Sequence, residues 1–181
     1  DGIFNDKVKI RQADPSDAES RYGIFANDFI KDGELILEIP RSILLTTGLE
    51  RQEVPLECDL VHILAEELTL GSKSRYAPYV NYLLATQSPR LIQTAWSDAG
   101  KELLLNILRD DSDEPLPPSE VTEWFDECEG FEDPMGIFAT ELVITRAWDN
   151  TMIPVYDMIS HRNGYWFNTN CNDIEGDEPI R

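Results

Sequence analysis

The hydrophobic period of this 181-residue chain changes twice along its length, and that limits the folds open to it. Near the start, Lys7-Val8-Lys9-Ile10 alternates polar and apolar residues as a half-buried strand does. Asp14-Pro15-Ser16-Asp17 is turn chemistry, and Ser20-Arg21-Tyr22-Gly23-Ile24-Phe25-Ala26 reads as a turn leading into a short apolar strand. Lys31-Asp32-Gly33 marks a tight turn into a further strand, Glu34-Leu35-Ile36-Leu37-Glu38-Ile39-Pro40. These last two strands are expected to form a hairpin. From Leu60 the spacing becomes helical, through Ile63, Leu64 and Leu68, with Gly71 as the stop. Tyr76, Tyr79 and Tyr82 are assigned to packing. Trp96-Ser97-Asp98 starts another helix, amphipathic over 102–108 with Leu104 and Leu108 on one face. Ser119 is a good N-cap for a helix through Cys128, after an acidic, proline-rich loop at 110–118. A last helix is predicted over 134–148, with Phe138, Leu142 and Thr145 on one stripe and Arg146 near its end. Met152, Ile153 and Val155 then return to an apolar extended run, and Pro154 holds the residue before it extended.

Strands, then helices, then a returning strand predict an α+β domain with a helical insertion. The expected partition is a β part over 1–54, the insertion over 55–148, and the returning part over 149–181. Residues 165–170 alternate weakly, as a strand does; packing at an edge is the first expectation and walling a cofactor the second.

Charge bounds the partners. A formal net charge of −20 argues against binding nucleic acid through its phosphates, which needs a positive surface. A cationic partner, such as a lysine-rich protein segment, is attracted instead. Three widely spaced cysteines, Cys58, Cys128 and Cys171, contain no Cys-x-x-Cys, so neither a zinc knuckle nor a redox motif is supported. The odd, sparse set predicts reduced thiols and an intracellular setting, without distinguishing cytoplasm, nucleus or plastid. No apolar run reaches bilayer length and no signal peptide is visible. The chain starts at Asp1 and stops in a polar, acidic stretch, and both ends read as cut; a fragment is expected.

The returning strand delivers Asp157 and His161, four residues apart, within reach of each other if the turn is helical. A polar pair at the carboxyl end of an apolar strand is a common way to build a small-molecule site. Alone, the pair also reads as a helix N-cap and an ordinary half-buried histidine. Two ligands fall short of a metal site. Ser160, His161 and Asp157 crowd one turn without a nucleophile elbow, so a hydrolase triad is discounted.

Two separated blocks carry a more specific signal. Thr145-Arg146-Ala147-Trp148, then Ile153-Pro154-Val155-Tyr156-Asp157-Met158-Ile159-Ser160-His161, resembles the Asn-His segment of SET-domain methyltransferases. The likeness is to the branch of the Rubisco large-subunit methyltransferase and its animal lysine and histidine methyltransferase relatives. Gly23-Ile24-Phe25-Ala26, Ile30, Gly33-Glu34, Leu35, Leu37, Ile39-Pro40 and Leu44-Leu45-Thr46 follow that branch's amino-terminal pattern in the same order. The segment around Ser74, Tyr79 and Leu83 is similar to a packing element of the branch. Arg21 stands where the family has its first glycine, and Ser160 where it has asparagine.

The resemblance implies S-adenosylmethionine as cofactor and methyl transfer to a protein side chain, lysine first with histidine left open. A monomer is expected, with neither nucleic acid nor a membrane as partner. It places Arg146 by the cofactor carboxylate, Asp157, Ser160 and His161 along the cofactor, and Ser20, Arg21 and Tyr22 on the opposite wall. None of these transfers a proton. The family's catalytic tyrosine, and its carboxyl-terminal helical domain, are expected beyond Arg181, so no catalytic residue is assigned. Arg21 and Ser160 keep a second expectation open, a non-catalytic SET-like protein-binding module. The first hairpin and the turn over 154–161 are expected to face each other across one pocket.

Overall fold

The computed structural model describes residues 2–17, 20–47, 56–88, 96–108, 133–148, 150–159, 169–172 and 178–181. Helices and small antiparallel sheets are both present, as an α+β class requires. Chain contacts divide it into a β unit, Asp1–Leu45 with Met152–Arg181, and a helical unit, Thr46–Thr151.

In the β unit, β1 (Ile3–Phe4), β2 (Val8–Gln12), β3 (Tyr22–Ala26) and β4 (Leu37–Glu38) form two antiparallel pairs. β2 and β3 make a hairpin, from Val8 opposite Ala26 to Gln12 opposite Tyr22. The Asp14 carboxylate folds the connection by accepting from the Ser16 N–H at 2.9 Å and the Ser16 hydroxyl at 2.6 Å. Those bonds hold the Asp14 carboxyl below the usual carboxylate range.

The hairpin expected between β3 and β4 does not form. Its turn does: Gly33 has φ +74, which favours glycine, and the Glu34 N–H donates to the Lys31 carbonyl at 3.1 Å. The chain after that turn is claimed by the amino-terminal segment. Asn5 Nδ2 donates to the Leu35 carbonyl at 2.7 Å, and the Asn5 N–H to the Ile36 carbonyl at 3.0 Å. Lys7 Nζ contacts both Glu34 oxygens, at 2.6 and 2.8 Å, and these bonds, with one from the Lys31 N–H, hold that carboxyl down at about 2. β4 therefore pairs with β1, Ile3 opposite Glu38 and Phe4 opposite Leu37.

A small core of Ile39, Leu44, Ile153 and Ile180 lies beside these strands, with Tyr156 and Cys171 packed on it. Ile39 and Ile180 exchange backbone bonds of 2.8 and 3.0 Å, and Arg181 Nε reaches Glu38 at 2.7 Å. Two further short strands, β5 (Leu45–Thr46) and β6 (Thr151–Met152), pair with each other.

The helical unit contains α1 (Leu56–Leu70), α2 (Ala77–Thr86), α3 (Asp98–Leu108) and α4 (Pro134–Arg146). α1 ends at Gly71, whose φ of +53 suits a glycine stop. Ser97 Oγ accepts from the Gly100 N–H at 3.3 Å at the start of α3. Asp133 caps α4 by accepting from the Met135 N–H at 3.2 Å, with Pro134 in the first turn where its missing N–H costs nothing. α1 packs along α4, burying Leu60, Val61, Leu64 and Leu68 on one side and Phe138, Ala139, Leu142 and Val143 on the other. Thr145 departs from its predicted place on that stripe: it is exposed, its hydroxyl turned back on the Glu141 carbonyl at 2.7 Å. Tyr79 is buried, and Tyr76 and Tyr82 are half-buried. Leu104 is half-buried, but Leu103 and Ile107 on α3 are exposed.

The expectation of three reduced thiols is corrected at Cys58, which is disulfide-bonded. Sequence spacing misses such a bond because a disulfide requires only that two α-carbons approach within about 4.4–6.8 Å in space. Cys171 is a free thiol. No helix among the described residues is long and apolar enough to cross a membrane. The helix predicted from Ser119, the loop at 110–118 and most of the strand at 165–170 lie outside the described residues.

Candidate functional site

The turn that follows β6 holds the one non-glycine residue of positive φ among the described residues. Ile153 and Pro154 are buried, and the chain then reverses at Val155, with φ 73 and ψ −44. That region is rare for any residue with a side chain and most so for a β-branched one. Holding it costs on the order of 1–3 kcal/mol. A 3-10 turn follows over Tyr156–Met158. The Asp157 N–H donates to the Ile153 carbonyl at 3.2 Å, Met158 to Val155 at 3.0 Å, and Ile159 to Tyr156 at 2.9 Å. Asp157 thus sits half-buried inside the turn; the residue at the N-cap position is Val155.

β3 lies against this turn. Gly23 is buried, and a Cβ built on it would stand 3.7 Å from the Met158 carbonyl oxygen and 3.3 Å from the Phe25 ring. Its φ is negative, so no left-handed turn calls for glycine here; an added Cβ would crowd the Phe25 ring and meet the Met158 carbonyl at ordinary contact distance. The structure therefore brings the early glycine block and the late Pro-x-x-Asp block together inside one unit.

The individual residues divide. Tyr22 is 43% exposed at the end of β3 beside that contact. Arg21, in the place of the family's glycine, has an ordinary negative φ and an exposed side chain. Ser20 is occupied with the hairpin connection: its hydroxyl accepts from the Asp14 N–H at 2.8 Å and its carbonyl from Gln12 Nε2 at 3.4 Å. Arg146 ends α4 in the helical unit, half-buried, where a cation suits the carbonyl end of the helix. Ser160 and His161 lie outside the described residues.

Sequence reasoning missed two features. One is the strain at Val155, which no residue pattern announces. The other is a polar pair behind the turn, the Tyr156 phenol hydrogen-bonded to the Cys171 thiol. Burial, with the thiol beside it, pushes the phenol up to about 12, and burial raises Cys171 as well, so both stay protonated near neutrality. The Cys171 Sγ also donates to the Asn172 carbonyl at 3.0 Å. Among the described residues no group of three or more His, Cys, Asp or Glu side chains is placed to hold a metal ion.

Comparison of the chain with protein-family models, with curated proteins and with solved structures finds no match.

Proposed function

We propose that this chain is part of an S-adenosylmethionine-dependent protein N-methyltransferase of the SET type, acting on a lysine or histidine of a protein substrate. The observation that carries the reading is the seat of Gly23 against the Met158 carbonyl. Two blocks from opposite ends of the chain, each resembling a cofactor-facing block of that family, meet there. A chain carrying the motifs for other reasons has no need to bring them together.

The donor's sulfonium supplies an activated methyl group when bound. What this chain contributes is position and exclusion of water. Tyr22 and the backbone around Gly23 form one side, and the turn at Asp157 the other. A Cβ at Gly23 would press on the Phe25 ring at 3.3 Å, so a bulkier side chain there would disturb the meeting of the two blocks. Arg21, with its side chain in solvent, contributes backbone alone. Ser20 acts by fixing the hairpin connection. The roles of Arg146, Ser160 and His161 rest on the resemblance.

The test is calorimetric titration of the intact protein with S-adenosylmethionine, followed by transfer of labelled methyl to lysine- and histidine-containing peptides. Binding is expected, and Gly23→Val should weaken it about tenfold or more, since overpacking costs about 1–3 kcal/mol. No binding by the intact protein ends the reading. Binding without transfer to any peptide favours a non-catalytic module, the reading that Arg21 supports.

A further inference from the structure

β2–β3 is a two-stranded sheet, so each strand has an outward edge. The Asn27 N–H bonds to the Lys7 carbonyl at 2.7 Å and the Ala13 N–H to the Arg21 carbonyl at 2.9 Å. Antiparallel pairs alternate between bonded and unbonded. Lys9 and Arg11 therefore direct their backbone groups inward to β3, and Ile10 directs its N–H and C=O outward. Ile10 has no other backbone partner among the described residues, and its side chain is 42% exposed.

Charge is sorted by face. Alternation along the two strands puts Lys9, Arg11, Arg21, Gly23 and Phe25 on one side. Lys9, Arg11 and Arg21 are all exposed there, and none has an ion pair among the described residues. The Arg11 guanidinium rests on the Phe25 ring, 4.0 Å from its centroid, and its Nη1 donates to the Gln12 carbonyl at 3.4 Å, which holds the charge at this edge. Neither strand contains an acidic residue; Asp6 lies past one end of the ladder and Asp14 past the other. In a chain of net charge −20 this is a local reversal of sign. With a screening length of about 8 Å at physiological salt, the nearby cations govern what approaches this edge.

We propose that the outer edge of β2 binds an extended, acidic polypeptide segment as a third strand, in the pattern acidic–apolar–acidic. The apolar residue exchanges both backbone bonds with Ile10 and covers its side chain. The flanking carboxylates then fall opposite Lys9 and Arg11, at the cross-strand spacing of about 4.5–5.5 Å. A nucleic acid is the less favoured polyanion, since it offers the open N–H and C=O of Ile10 no strand to pair with, and its affinity comes from many phosphate contacts at once.

The probe is a synthetic peptide of alternating glutamate and valine, titrated into the intact protein by fluorescence anisotropy. A scrambled peptide of equal composition and a single-stranded oligonucleotide serve as controls. The alternating peptide should bind, and the double variant Lys9→Glu, Arg11→Glu should weaken it about tenfold or more. N-methylation of the valine opposite Ile10 should abolish binding while leaving charge unchanged, which also guards against a misfolded variant. Equal binding of the scrambled peptide or the oligonucleotide overturns strand addition. So does indifference to N-methylation. If the double variant instead self-associates and peptide binding is unaffected, Lys9 and Arg11 serve only to keep the edge solvated, and the proposal is wrong.

Discussion

The two units are held together by different means. In the helical unit, one stripe of α1 is fully inside: Leu60, Val61 and Leu64 have no exposed surface and Leu68 has 2%. The strands of the β unit are two to five residues long, its core cluster has four members, and polar ties fix their register: Asn5 to Leu35, Lys7 to Glu34, Arg181 to Glu38. Burial tolerates small shifts of position, because apolar contact has no direction. Hydrogen-bonded ties do not. A unit made this way is suited to hold backbone in an exact and even unfavourable shape, and Val155 is such a shape.

The sharpest test of the contrast is Leu64→Ala, which should cost about 2–5 kcal/mol, read by denaturant unfolding. Amide exchange should then accelerate in α1 and α4. Equal acceleration at Ile39 and Ile180 would mean that the two units unfold as one. Ile180→Ala, in the smaller core, should cost about 2–4 kcal/mol and speed exchange first at Ile39, its bridge partner. Val155→Gly runs the other way. Release of the left-handed strain offsets the lost side chain and the freer unfolded chain, and a gain of up to about 1 kcal/mol in stability is expected. A clear loss would show that the conformation is not strained.

The smallest effect is alkaline. The Tyr156 phenol ionises more readily unfolded, near its ordinary value of about 10, than folded, at about 12. Its contribution is fully present below about pH 10 and lost as pH rises toward about 12. Tyr156→Phe should remove that part of the loss, as unfolding at successive pH values will show. The Cys171 thiol, raised by burial, should react slowly with a disulfide reagent near pH 8.

Much of this was legible beforehand, and the limits have physical causes. Gly71, Pro134 and the Asp14 turn act through their own neighbours, so sequence alone places the end of α1, the start of α4 and the β2–β3 connection. The partner of β4 was misread because Asn5 and Lys7, far back in the chain, decide it. At the candidate site, Gly23 and Asp157 stand out as residues, and their blocks meet. Val155 does not stand out: its backbone angle is imposed by what surrounds it and contradicts the preference of valine itself. Tyr156 and Cys171 are ordinary residues until folding sets them side by side.

The bridge between Ile39 and Ile180 has a consequence for how the chain is made. A ribosome delivers the helical unit as one continuous stretch, able to begin collapsing as it emerges. The β unit must wait for its last residues, since its first 45 close against 152–181. Contacts so distant in sequence form slowly. In the interval the Ile39 N–H and C=O stand without their Ile180 partner, and it is then that a chaperone has most to do.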